Sequence, residues 1–221
     1  RFFEAFLRGR DFREVPDITA RICGICPVAY QMSACHALER ALGVFDAIPP
    51  EVRRLRDLFY CGEWVESHTL HMFLLNLPDF LGAESAIELA REHGDIVRKA
   101  LGVRGVGNEL VSCLGGRSVH PVGACVGGFY KALEAEKAAD MLPRVNNARD
   151  QMAELVGWLA RTLRFPNFQA DYEFVSLISD SDYPMNIGSI GSNRGLNIDP
   201  AKFLDHIEEY QVEHSTALYS R

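Results

Sequence analysis

The tightest constraint on this chain is the stretch Arg21-Ile22-Cys23-Gly24-Ile25-Cys26-Pro27. Two cysteines stand with two residues between them, and Gly24 permits a tight backbone turn there. Pro27 and the run Gln31 to Leu42 predict a helix whose start lies at or just after Cys26. Backbone N–H groups at a helix start favour a thiolate over a thiol, and Arg21 pushes the same way. Two thiolates on one short loop can grip a soft or borderline metal ion.

A C-x-x-C pair alone leaves several readings open: half of a zinc knuckle, a dithiol redox pair, half of a larger metal site, or two buried small hydrophobes. The other cysteines are Cys35, Cys61, Cys113 and Cys125, none within four residues of another. His68 and His71 share a helix face and could complete a Cys2His2 set if the fold brings them in. A thioredoxin-like pair needs a preceding strand, and the residues before Cys23 do not alternate as one. Six cysteines in 221 residues, without a dense framework, fit a reducing compartment. The net charge of −7 and the lack of a basic stripe argue against a nucleic-acid partner. No apolar run reaches the roughly 18 residues that a membrane span needs.

The periodicity predicts a mainly α chain with a small β part (α+β). Helices are expected over 1–11, to Leu42 with Gly43 as the stop, over 51–77, over 84–100, and over 127–163 with a break near Pro143. Val15-Pro16 reads as an extended step, and Gly102 to Gly107 as a turn. Arg53, Arg54, Arg56 and Asp57 read as water-facing, Cys61 as core, and the glycines at 115 and 116 as places of close backbone approach. From Asn167 onward short antiparallel strands are expected.

Arg21-Ile22-Cys23-Gly24-Ile25-Cys26 resembles the R-x-C-G-x-C signature of the large, catalytic subunit of nickel–iron hydrogenases. The lead-in Arg1-Phe2-Phe3-Glu4 … Gly9-Arg10-Asp11 is similar to the family's R-G-x-E … G-R-D segment. Gly115-Gly116-Arg117-Ser118-Val119-His120 resembles its G-G-[KR]-x-x-H segment, and His68-Thr69-Leu70-His71 its H-x-x-H helix. Glu213-His214-Ser215-Thr216-Ala217 looks like a later landmark. Tyr30 departs from the pattern, since many members carry histidine there. The flavour is closest to the cytoplasmic NAD(P)-linked or sulfhydrogenase branch.

The resemblance implies a helical bundle core of the nickel–iron hydrogenase large-subunit type, and a single partial domain over 1–221, truncated at both ends, because neither the opening R-I-E-G-H-like segment nor the closing D-P-C-x-x-C-x-x-H motif occurs. It implies a nickel–iron centre with CO and cyanide on iron, Cys23 as a terminal nickel ligand, Cys26 bridging nickel and iron, and Glu4 on magnesium. Arg21, Tyr30 and His120 would surround the sulfurs. The implied reaction is reversible heterolytic oxidation of H2, a terminal thiolate accepting the proton. Electrons would pass to iron–sulfur clusters of a small subunit, then to NAD(P) or sulfur through diaphorase-type subunits. The alternatives are a scaffold related to the quinone-site subunit of complex I, which lacks the cysteines, and a zinc-binding structural module.

Overall fold

The computed structural model describes residues 2–221. Arg1 of the lead-in lies outside the described residues. The chain's contacts divide it into two compact units, Arg1–Phe165 and Pro166–Arg221.

The first unit is helical. Helices α1 (Phe2–Leu7) and α2 (Val15–Thr19) are short, and Asp11 and Glu14 form a reciprocal capping box between them. The extended step at Val15-Pro16 is not found: Pro16 sits in the first turn of α2, where its missing N–H costs nothing. Helix α3 (Pro27–Ala41) opens on Pro27 with Cys26 at the position before it, as the sequence predicts. Gly43, at φ 69°, follows the helix end.

Helix α4 (Pro50–Thr69) runs on through a π-helical stretch, Leu70–Asn76, into α5 (Leu77–Leu81). Helix α6 (Ala86–Glu92) is followed by α7 (Gly94–Gly115). The turn expected at 102–107 is therefore absent, because α7 runs straight through those glycines. The reason is tertiary. A Cβ at Gly107 would lie 2.6 Å from the Glu66 backbone nitrogen and 2.7 Å from the Gly62 carbonyl oxygen. A Cβ at Gly62 would in turn lie 3.0 Å from the Leu110 Cβ. The glycines let α4 and α7 cross nearly backbone to backbone, and that packing outweighs their poor helix propensity. Gly107→Ala is expected to destabilise the fold by about 1–3 kcal/mol through overpacking, more if the crossing has to open. Urea unfolding of the variant beside the unsubstituted chain measures this.

The loop after α7 is equally tight. A Cβ on Gly115 would stand 2.4 Å from the Pro121 Cβ, and one on Gly123 2.3 Å from the Leu114 carbonyl oxygen. A small hairpin, β1 (Ala124–Cys125) with β2 (Gly128–Phe129), precedes α8 (Ala135–Thr162). α8 runs through Pro143 without the expected break. Phe73, Leu77, Leu89, Val97, Ala100, Val103 and Leu155 form the core shared by these helices.

The charged start of α4 differs from the amphipathic reading. Arg56 is 2% exposed and pairs with Glu39, which is wholly buried. Its Nη1 and Nη2 donate to Glu39 Oε2 and Oε1 at 2.9 and 2.6 Å. The Gly127 N–H donates to the same carboxylate at 2.8 Å, and Nη2 also reaches the Cys125 carbonyl at 3.3 Å. The pair thus pins the hairpin to α3 and α4. Cys61, expected in the core, is exposed on α4.

The second unit holds a three-stranded antiparallel sheet, β3 (Val175–Ile178), β4 (Ser189–Ser192) and β5 (Asn197–Ile198), in sequence order. A short helix α9 (Phe203–His206) leads to the hairpin of β6 (Glu209–Gln211) and β7 (Leu218–Ser220), in which Tyr210 faces Tyr219. The α+β expectation holds: helices dominate, and the strands are few and antiparallel.

Candidate metal centre

Cys23 leaves a 3-10 turn (Ala20–Ile22) in extended conformation, φ −142° and ψ 137°. The chain then folds back on its sulfur. The N–H groups of Ile25 and Cys26 both donate to Cys23 Sγ at 3.3 Å. Burial raises the Cys23 thiol pKa, but hydrogen bonds from the Cys26 thiol and from these two N–H groups outweigh it, and the net shift is downward. Cys26 goes the other way: burial, then the bond to Cys23, push its thiol up to about 12. The expectation that the helix start would favour a thiolate at Cys26 is therefore met at Cys23 instead.

Next to Cys26 stands a residue that sequence reasoning missed, whose charge adds to the rise after burial and the Cys23 bond. Glu63 of α4 is 3% exposed. Its Oε2 accepts the Val28 N–H at 2.6 Å, and its carboxylate also takes the Ala29 N–H. These are the donors that open α3, so the helix N-terminus acts on Glu63 rather than on Cys26. Burial lifts the Glu63 carboxyl to about 7, against the pull of the two N–H groups and with a push from Glu66. A signal existed in the sequence. Arg56, Phe59, Tyr60, Glu63 and Glu66 are all buried and recur at helical spacing on one face of α4.

Glu66, the next carboxylate along that face, accepts Arg104 Nε at 2.9 Å and Nη2 at 2.5 Å. Between Glu63, Glu66, Asn108 and Ser118, against Ile25 and Pro27, lies a cavity of about 10 Å³, room for one water.

His120 is brought to the same loop. Its backbone is left-handed, φ 49°, an uncommon conformation that histidine tolerates better than most residues. Arg117 Nε donates to its carbonyl at 2.6 Å. Its Nδ1 lies 2.8 Å from the Ala20 carbonyl, which can only accept, so Nδ1 carries the proton. The ring's Cε1 is 4.0 Å from where a Cβ on Gly24 would stand. Gln31, fully buried, fastens the remaining piece: its Nε2 donates to Pro121 O at 3.0 Å and to Asp17 Oδ1 at 3.3 Å. Arg21 is exposed, and its charge acts on Asp17, whose carboxyl is raised chiefly by burial.

The other expected site residues are placed less closely. Tyr30 is exposed one turn into α3, and Glu4 is exposed on α1. His68 and His71 are exposed; His68 stacks on Trp64 with ring centroids 5.7 Å apart, and His71 Nε2 lies 3.0 Å from the Asn76 amide nitrogen. Among the described residues, no three His, Cys, Asp or Glu side chains gather at metal-binding distance. The local donor set is two adjacent sulfurs, which suits a soft thiolate-held metal better than a hard cation.

The sequence profile of the family described as nickel-dependent hydrogenase matches residues 1–96. The alpha subunit of sulfhydrogenase 2 from Pyrococcus furiosus is 43% identical over 143 residues, which is 63% of this chain and 34% of that protein. The alpha subunit of sulfhydrogenase 1 from the same organism is 30% identical over 221 residues, covering 100% of this chain and 51% of its own length. A further relative, from the vhu F420-non-reducing hydrogenase of Methanococcus voltae, is 30% identical over 238 residues, 99% of this chain and 56% of its own. The chain thus spans about half the length, or less, of the curated relatives it matches. The crystal structure of an NAD+-reducing [NiFe]-hydrogenase in the H2-reduced state superposes with a TM-score of 0.85 at 27% identity, over 100% of this chain and 53% of that one. The Ni-Fe-Se hydrogenase of Desulfovibrio vulgaris Hildenborough gives 0.74 at 26% identity, over 97% of this chain and 49% of that one.

Proposed function

We propose a function from one premise: this chain belongs to the nickel-dependent hydrogenase family, as a stretch of the large subunit. Cys23 and Cys26 would hold a nickel–iron centre through their sulfurs, Cys23 on nickel and Cys26 on nickel and iron. The observation that carries this reading is the folded loop, in which two sulfurs share one turn and backbone N–H groups hold Cys23 toward its anionic form. When bound, the centre supplies the Lewis acidity and redox capacity for splitting hydrogen heterolytically, and CO and cyanide on iron belong to the same reading.

The chain's own residues then have separate duties. Ile25 and Cys26 N–H groups fix the Cys23 sulfur. His120, anchored on Ala20, limits how the Gly24 turn can move, and Arg117 anchors His120 in turn. Gln31 keeps the loop that carries His120 against α2 and α3. Tyr30 and Arg21 tune the sulfur surroundings, and Glu4 takes a magnesium ion, a hard cation suited to carboxylate oxygen. A small subunit with iron–sulfur clusters carries the electrons away, and diaphorase-type subunits pass them to NAD(P) or sulfur. The enzyme works in the cytoplasm. Among the described residues, no helix is long and apolar enough to cross a membrane.

The test is metal analysis and infrared spectroscopy of the full-length subunit, purified with its maturation machinery, together with hydrogen-dependent dye reduction in the presence of the small subunit. Nickel and iron in equal amounts, CO and cyanide stretching bands, and dye reduction are expected. Zinc alone, or no bands and no turnover, would overturn the reading.

A further inference from the structure

We propose that Glu63 positions the cysteine loop, by supplying from α4 the cap that the start of α3 cannot make for itself. This rests on the reading of Cys23 and Cys26 as metal ligands.

A helix start leaves its first N–H groups without intrahelical partners, and the side chain just before the helix ordinarily accepts from the second or third of them. In α3 that residue is Cys26, and its side chain makes no such bond. Pro27 has no N–H to satisfy. The unmet donors are Val28 and Ala29, and both go to Glu63, a residue 35 positions after Val28. The arrangement separates two jobs that a serine or aspartate in place of Cys26 would combine. The helix start is capped, yet the Cys26 sulfur is not used for capping. Cys23, for its part, takes the loop's own N–H groups at Ile25 and Cys26.

The anchor is stiff. Glu63 lies on the face of α4 that crosses α7 at Gly62 and Gly107, where backbone meets backbone. With Glu63 almost fully buried, its carboxyl has few other positions to take. The water-sized cavity beside it, bounded by Glu66, Asn108 and Ser118, leaves space to hydrate the carboxyl without breaking its bonds to α3. The position of Cys26 relative to α4 is thereby set by a short hydrogen bond, 2.6 Å, from the Val28 N–H to the Glu63 carboxyl.

Hydrogen exchange and infrared spectroscopy on the full-length, matured subunit test this. In Glu63→Ala, the peptide covering residues 24–32 is expected to exchange about tenfold faster, the scale of a lost cap, while peptides from the first half of α4 keep their rates. Glu63→Gln keeps an acceptor oxygen but not the charge. It should retain most of that protection and shift the CO and cyanide bands. Glu63→Asp, one methylene short of the α3 amides, reads the same loss should the alanine variant fail to fold.

Unchanged exchange over 24–32 in the alanine and aspartate variants overturns the positioning role. So does a loosening spread evenly along α4, which would mark Glu63 as ordinary packing, and so do bands unshifted in every variant. If the unsubstituted subunit shows no such bands, the hydrogenase reading is what fails, and the exchange comparison still decides the role of Glu63.

Discussion

Cys26→Ala in the full-length subunit is expected to abolish hydrogen turnover, by roughly a thousandfold or more, equivalent to at least about 4 kcal/mol of barrier. Nickel and iron should both be lost if the Cys26 sulfur holds each metal, as proposed. Cys23→Ala should remove nickel and activity while disturbing iron less, since its sulfur is assigned to nickel alone. The structure adds a second difference. The Cys23 sulfur receives two backbone N–H bonds that keep the loop folded. Cys23→Ala should therefore also loosen residues 23–26, whereas Cys26→Ala, whose side chain caps nothing, should leave the loop's backbone in place. Metal analysis and hydrogen exchange on the two purified variants separate these effects. Equal iron in both variants, or full activity in either, would contradict the assignment.

Glu39→Ala should be the most destabilising single carboxylate substitution in the helical unit. It strands a fully desolvated guanidinium, since Arg56 is 2% exposed, and it leaves the Gly127 N–H without its acceptor. Breaking a buried pair from one side costs about 3–5 kcal/mol, or roughly 6–20 °C in Tm for a chain of this size. Replacing both partners by apolar residues of similar volume, Glu39→Leu with Arg56→Met, should recover much of that loss, because most of the cost is the unpaired charge. The pH dependence has a definite sign. Burial raises the Glu39 carboxyl, but the hydrogen bonds from Arg56 and Gly127 more than offset it, so its pKa lies below the ordinary 4.5. Its contribution to stability is fully present above that value and is lost as the pH falls through the lower, folded one. Thermal melts from neutral pH downward should show the unsubstituted chain losing this contribution only in the acid range, with the doubly substituted chain lacking that step.

The parts of the fold that local rules govern could be read from the residues. Pro27 and Gly43 bracket α3 because each answers a local demand, a missing N–H at one end and a left-handed backbone after the other. The cysteine loop was equally plain, since its residue types and spacing are local. What escaped was decided between segments. Gly102 to Gly107 carries every local mark of a turn, yet Gly107 is glycine because α4 passes within a Cβ's reach. Pro143 carries the mark of a break, and α8 passes through it. Arg56 and Glu63 look solvated because a charged residue usually is. Only their phase against Phe59 and Tyr60 betrayed that they point inward. His120 was legible through the motif it sits in, but its anchoring on the Ala20 carbonyl spans 100 residues and has no local trace.

Helix α4 places three carboxylate-centred contacts along one face: Arg56 to Glu39, Glu63 to the start of α3, and Glu66 to Arg104. It works like a key cut with three teeth. Sliding it by a single residue would turn that face by about 100° and disengage all three together. An insertion or deletion anywhere between Arg56 and Glu66 should thus be far worse than any point substitution there. Substitutions at Arg56 and Glu63, which share no partner and stand two turns apart, should by contrast add to within about 0.5 kcal/mol, since the loss of Glu63 leaves the first half of α4 seated.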